Sequence, residues 1–336
     1  MDGRGDVLVA LIGCGRHGAN LAQAIRRTPG MRLVACADPD RDAVERVAAV
    51  VSGASVHGSL DALLSAEQVD AVVIATPHDL LAPLSLTALG DSKHVLAEKP
   101  IGVNASEAAE IERAVAETGL CFMSGYSFRF SMVRYVRELL DSGVAGVIRG
   151  ITGSLTYPPM DVGWKAAPES GGGPLLFVGS HLIDMFLWFL DEPVEVYADV
   201  EVRPDTGAED TLTFQVRFSG GVLTQGLVTQ AAPGFAYEID IHGSQGRIVL
   251  RGYSFLQFDI EVVSRAVPGY HEPTVIRPEA GPDNIDMMLV PELTEFRDAI
   301  RDGRPPAITA RDGRRVLQIT DAIRDSARQR RPVPLH

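Results

Sequence analysis

The sequence predicts an α/β protein in two parts: an N-terminal doubly wound parallel sheet, then a second α/β domain with a large, mostly antiparallel, open-faced sheet. Three observations predict it. The chain has 336 residues, more than one hydrophobic core usually serves. Short continuous apolar runs alternate with helical patterns over residues 1–124, the pattern of strands covered on both faces. Beyond residue 147, runs of alternating polarity are separated by glycine turns, the pattern of an antiparallel meander. The expected domains are therefore 1–124 and 125–336.

The first strand is Val7-Leu8-Val9-Ala10-Leu11-Ile12, and it leads without a spacer into Gly13-Cys14-Gly15-Arg16-His17-Gly18 and a helical stretch over 19–27. In a strand–loop–helix context this is a dinucleotide fingerprint. Gly13 permits a tight turn, Gly15 lets backbone approach a pyrophosphate, and Gly18 lets helix pack on strand, with phosphates meeting the free N–H groups of the helix start. A second strand, Met31–Ala37, ends at Asp38, which lies 20 residues past Gly18. A carboxylate there can accept from both ribose hydroxyls and would repel a 2′-phosphate, which favours NAD over NADP. The other reading of Asp38 is a helix cap, with Pro39 behind it and a helical pattern over 41–51; the two roles are compatible.

A helix over 60–65, a strand over 71–75, the loop Thr76-Pro77-His78, a helix over 80–90 and a strand over 94–97 continue the alternation. The run Val95-Leu96-Ala97-Glu98-Lys99-Pro100-Ile101 concentrates chemistry. Proline cannot donate to a sheet ladder, so the strand should stop at Glu98 and leave Lys99 on extended backbone at its carboxyl end, where open α/β sheets bind ligands. An amine held there can donate to a developing alkoxide, or titrate near neutrality if its surroundings are dry. A solvated strand end is the alternative reading of the same tripeptide.

The totals exclude several classes. With 46% apolar and 22% charged residues, the chain is globular rather than disordered. No apolar run reaches the roughly 18 residues of a membrane span, and the run 182–190 is interrupted by Asp184. The first residues lack a basic region followed by a signal-type core, so the cytoplasm is the expected compartment. Cys14, Cys36 and Cys121 lie far apart in apolar surroundings without metal-ligand spacing, and are read as buried reduced thiols, with no metal expected. A net charge of −13 with no basic run argues against a nucleic-acid partner.

The second domain opens with Tyr126-Ser127-Phe128-Arg129-Phe130, in which Tyr126 and Arg129 could face a substrate while Phe128 and Phe130 read as core. Ser131 could cap a helix running to 141, and a strand follows over 147–157. Trp164 and Lys165, further candidate substrate contacts, precede a glycine-dense loop at 170–173. A helical pattern over 174–190 carries His181, Asp184 and Trp188 roughly on one face, and Asp184 is a further candidate substrate contact that could hydrogen-bond a sugar hydroxyl or orient His181, with a structural role as the alternative. Strands are expected at 194–202, 211–218, 222–229, 237–241 and 247–250, with Tyr237 a substrate contact from that sheet. If the open face is apolar a second subunit should cover it, so a homo-oligomer, dimer or tetramer, is expected. Helices at 291–301 and 310–328 could pack back on the first domain.

Several of these segments together resemble the Gfo/Idh/MocA family of oxidoreductases: Gly13-Cys14-Gly15-Arg16-His17-Gly18, Ala75-Thr76-Pro77, the segment Lys93-His94-Val95-Leu96-Ala97-Glu98-Lys99-Pro100, and Gly171-Gly172-Gly173-Pro174-Leu175-Leu176 followed by His181-Leu182-Ile183-Asp184. The resemblance implies a Rossmann domain, a second domain on a large antiparallel sheet, a bound NAD or NADP, and a sugar or cyclitol substrate. It implies that Arg16, His17, Thr76, Pro77, His78, Glu98 and Lys99 lie about the cofactor. Lys99 matches the family lysine that contacts the substrate hydroxyl or carbonyl, and His181 matches the acid/base histidine. Two departures stand out. Relatives often carry an aspartate four residues before that histidine, where this chain has Phe177, and an Asn after Thr-Pro, where it has His78. The expected activity is hydride transfer between nicotinamide and a secondary alcohol or ketone of a polyol, with a redox-neutral epimerase or glycosidase as the alternative and a silent dinucleotide sensor as a third.

Overall fold

The computed structural model describes residues 5–51, 53–159, 163–190, 192–204, 207–279 and 282–335. The chain forms two compact units, one of Met1–Ser127 with Pro282–Arg314, the other of Phe128–Gly281 with Arg315–His336.

In the first unit six strands, β1 (Val7–Ile12), β2 (Met31–Ala37), β3 (Ser55–His57), β4 (Ala71–Ile74), β5 (His94–Glu98) and β6 (Phe122–Gly125), form one sheet in the order β3-β2-β1-β4-β5-β6. Every pairing in it is parallel. The intervening helices are α1 (Arg16–Arg27), α2 (Arg41–Val50), α3 (Leu60–Ala66), α4 (His78–Gly90) and α5 (Ala105–Thr118). The strands are apolar throughout because both faces are covered: Val9, Ala10 and Leu11 of β1 and all of β4 are fully buried. Three elements here escape the sequence pattern. β3 is too short to show a period, β6 is a four-residue strand at the expected end of the first domain, and α5 buries only Ala108 and Ile111, which leaves little apolar stripe to recognise.

The second unit begins with α6 (Met132–Asp141) and the strand β7 (Ile148–Thr156), followed by a π-helical turn at Leu175–Gly179 that runs into α7 (Ser180–Phe189). Then come β8 (Pro193–Val202), β9 (Glu209–Phe218), β10 (Leu223–Thr229), β11 (Ala236–Gly243), β12 (Gly246–Gly252), β13 (Phe258–Ser264) and β14 (Thr274–Ile276). The helices α8 (Val290–Asp302) and α9 (Ala310–Gln329) and the short strand β15 (Val333–Pro334) complete the chain. The nine-stranded sheet has the order β14-β13-β12-β11-β7-β10-β9-β8-β15. It is antiparallel except where β7 and β10 run parallel. Burial alternates along β9, where Leu212, Phe214, Val216 and Phe218 point inward and Thr213, Gln215 and Arg217 outward, so one face is packed and the other open. α7 packs on the inner face at Gly153, whose missing Cβ would fall 2.5 Å from a Leu182 methyl. The helical stretch Pro168–Phe189 is long and apolar enough to cross a membrane, yet 89% of its most apolar window is buried within the protein, which makes it a core helix.

Pro282–Arg314 belongs to the first unit, with α8 packed on α1 and Leu293, Phe296 and Ala299 fully buried. Polar clamps fix it: Arg27 donates to Asp283 at 2.7 Å, and Arg301 donates to the carbonyls of Gly5 at 2.9 Å and Gly30 at 3.2 Å.

Candidate active site

The glycine loop is built as its spacing demands. Gly13 has φ +90°, and a Cβ there would lie 2.4 Å from the Ala75 carbonyl oxygen. A Cβ on Gly18 would lie 2.0 Å from the Gly13 carbonyl oxygen, whereas at Gly15 nothing lies within 4 Å. Only Gly15 is therefore free of protein neighbours, at the N-cap of α1, which has no acidic residue in its first turn. Open space and free N–H groups at the start of a helix with no acid of its own in the first turn make a cradle for an anion. Arg16 and His17 are exposed beside it.

Asp38 is half-buried at the end of β2 and braces the loop: one carboxylate oxygen accepts from the Cys14 amide at 2.6 Å, the other from the Asp40 amide at 2.8 Å. The cap of α2 is Asp40, which accepts from Asp42 and Ala43, so the capping role the sequence offered Asp38 belongs to its neighbour two residues on. Thr76 and Pro77 are half-buried after β4, with Pro77 the residue that caps α4. His78 opens that helix and is 3% exposed.

β5 ends at Glu98, and the Lys99–Pro100 peptide is cis. The Glu98 carboxylate accepts from His17 Nε2 at 2.7 Å and from its neighbour's amide at 3.3 Å. Burial alone would push this carboxyl up, but the charge and hydrogen bond of His17, with the charge of Lys99, outweigh it and hold Glu98 below the ordinary carboxyl range. Lys99 is half-buried next to it. Sequence reasoning missed a second carboxyl here. Glu292, on α8, is fully buried with no hydrogen-bond partner on either oxygen, and burial first, then the charge of Glu98, push it well above its usual value. Glu98 is thus the stronger acid of the pair and Glu292 the weaker. The available signal was spacing: Glu292 precedes Phe296 by four and Ala299 by seven, on the buried stripe of its helix.

In the second unit, the structure brings two substrate candidates onto each other. Arg129 Nε and Nη2 donate to Asp184 at 3.0 and 2.6 Å, with side-chain exposures of 8% and 1%. The guanidinium also lies 5.3 Å from the Trp188 ring. This buried, bidentate pair ties α7 to the turn at Ser127–Phe130. His181 is 7% exposed and stacks flat on Phe128, ring centroids 3.8 Å apart and planes 7° from parallel. Phe177 sits in the π turn with its ring 6.5 Å from that of Trp164, and the Lys165 ammonium lies 4.8 Å from the Phe177 centroid. Tyr237 is buried and donates to the Ser254 carbonyl at 3.2 Å, and Tyr126 is fully buried. Among the described residues no group of three or more His, Cys, Asp or Glu could hold a metal ion.

The chain is similar to known proteins over most of its length. The family described as an oxidoreductase family with an NAD-binding Rossmann fold matches residues 7–126, and the GFO/IDH/MocA C-terminal domain matches residues 133–249. The chain is 28% identical to the inositol 2-dehydrogenase of Rhizobium meliloti, over 98% of this chain and 99% of the relative. It is 30% identical to the dTDP-3,4-didehydro-2,6-dideoxy-alpha-D-glucose 3-reductase of Streptomyces violaceoruber, over 84% of each. An oxidoreductase domain protein from Kribbella flavida superposes with a TM-score of 0.90 at 22% identity, over 99% of this chain and 100% of that one, a likeness of fold. The cradle at Gly15, the acid at the end of β2 and the matches across both halves together make this chain a member of the GFO/IDH/MocA family of NAD-binding oxidoreductases.

Proposed function

We propose that this NAD-dependent oxidoreductase transfers hydride between nicotinamide and a secondary alcohol or ketone of a sugar, cyclitol or related polyol, in the cytoplasm. The observation that carries the reading is Lys99, at the carboxyl end of β5 beside a Glu98 kept ionised by the His17 of the glycine loop. The names of the inositol dehydrogenase and deoxysugar reductase relatives support the substrate class.

The residues fit NAD. Gly15 and the start of α1 would take the pyrophosphate, Asp38 would accept from the adenosine ribose, and Thr76, Pro77 and Glu98 lie at the ends of β4 and β5. When bound, NAD supplies the hydride acceptor. The chain supplies the rest. Lys99, beside Glu98, donates from its ammonium to the substrate oxygen and stabilises the alkoxide that develops on it. His181 takes the hydroxyl proton during oxidation and returns it during reduction. The Arg129–Asp184 pair holds the α7 backbone that carries His181. A second copy of the chain covers the open face of the nine-stranded sheet.

Lys99→Ala should lower kcat by about 10² to 10⁴, read as NADH absorbance over a panel of polyols and ketoses with NAD and NADP in parallel. Full turnover by that variant would sink the assignment. Phe177, at a position where the family resemblance often implies an aspartate, favours one second reading, a redox-neutral epimerase or glycosidase that oxidises only transiently. Product formed without net NADH would identify it.

A further inference from the structure

Tyr157 follows β7, Phe235 precedes β11, and Phe255 lies in the turn between β12 and β13. The pairings Ala236 with Thr156 and Tyr237 with Gly252 bring these three loops to the same end of three neighbouring strands. Their rings join into a series. It starts at His181, stacked on Phe128, and passes to Phe255 at 5.1 Å, Phe235 at 4.6 Å and Tyr157 at 5.6 Å. It continues to Phe177 at 5.6 Å and Trp164 at 6.5 Å.

Phe128 is buried, but Phe255, Phe235, Tyr157, Phe177 and Trp164 are each only half-buried. Aromatic rings are the costliest side chains to leave facing water, and the chain is only 6% aromatic, so five in contact at one place are not a surface average. The series is also several ring widths long, more than one pyranose or cyclitol could cover.

We propose that this ring series is a binding wall for an aromatic or other planar apolar group on the substrate, so that the preferred substrates are sugars or polyols bearing an aryl substituent. The inference deepens the polyol reading above and rests on it. Phe177 then has a positive role: the ring that replaces the family aspartate extends the wall from His181 towards Trp164. The reacting carbinol lies at the His181 end and the aryl group over Phe235 and Phe177.

The test is affinity for matched phenyl and methyl glycosides of glucose, galactose and mannose, measured by calorimetry and tryptophan fluorescence on the NAD-loaded protein. At least one phenyl glycoside should bind about tenfold tighter than its methyl partner, the scale of one good ring stack. Phe235→Ala and, separately, Phe177→Leu should bring the ratio towards one, and Phe235→Tyr should restore it, with circular dichroism checking the fold. Equal affinities in every pair, or no binding of any phenyl glycoside, overturn the wall. NADH absorbance on the same compounds separates the two ideas. Turnover without aryl preference keeps the polyol reading and removes the wall, while aryl preference without NADH keeps the wall and removes the redox reading.

Discussion

Glu292 is held in an environment that disfavours its charged form. Its ordinary value is 4.5, and in the folded chain burial and the neighbouring Glu98 raise it. Between those two values the unfolded chain has released a proton that the folded chain keeps, so stability falls as pH rises through the window. Glu98 acts in the opposite sense: its value is lowered, beside His17 and Lys99, and its contribution is lost on acidification. Glu292→Gln keeps the shape and cannot ionise. It should flatten the alkaline limb of thermal stability against pH, raising the melting temperature by a few degrees near pH 8 with no gain near pH 4. Parallel curves for the two proteins would count against the buried acid. Such residues mark the limit of reading a sequence. The positions of Asp38 and Lys99 just past β2 and β5 were legible because each sits at a fixed offset from a motif. Arg129 and Asp184, 55 positions apart, read as two separate charges until the fold pairs them.

The glycine loop shows how one element divides labour among chemically identical residues. Gly18→Ala puts a methyl against the Gly13 carbonyl and should cost about 1–3 kcal/mol of stability. Gly15→Ala meets no protein atom, so its melting temperature should match the parent while NADH affinity, read by nucleotide fluorescence, falls about tenfold or more. Loss of stability at Gly15, or unchanged NADH affinity, would refute this division. The strands and helices with strong period were legible for the same physical reason: one buried face imprints itself on the sequence. α5 and β3 were not, since α5 buries little and β3 is three residues long. The π turn before α7 was read as helix, because apolar spacing cannot distinguish hydrogen bonds to the fourth residue from those to the fifth.

For the whole molecule, the fold class followed from the switch between continuous and alternating apolar runs. Which unit would receive the C-terminal helices did not, because an apolar stripe declares that a helix face is buried without naming the core that buries it. The open sheet face carries Tyr197 at 47%, Leu223 at 48%, Leu227 at 39% and Val275 at 45% exposure among Gln215, Gln225, Thr213 and Arg217. A mixed surface of that kind suits contact with a copy of itself. Light scattering after size exclusion should give a dimer or tetramer, and Leu227→Asp should shift it to a smaller species; a clean wild-type monomer removes the idea.

The first unit takes α8 from Pro282–Arg314, after the long Phe128–Gly281 part of the second unit has intervened in the chain. During translation the ribosome therefore releases β1 to β6 long before α8 emerges to lie on α1. The nascent Rossmann layer stays unfinished, with apolar surface uncovered, while about half of the polypeptide is being made. Chaperone demand should peak in that interval rather than at its end.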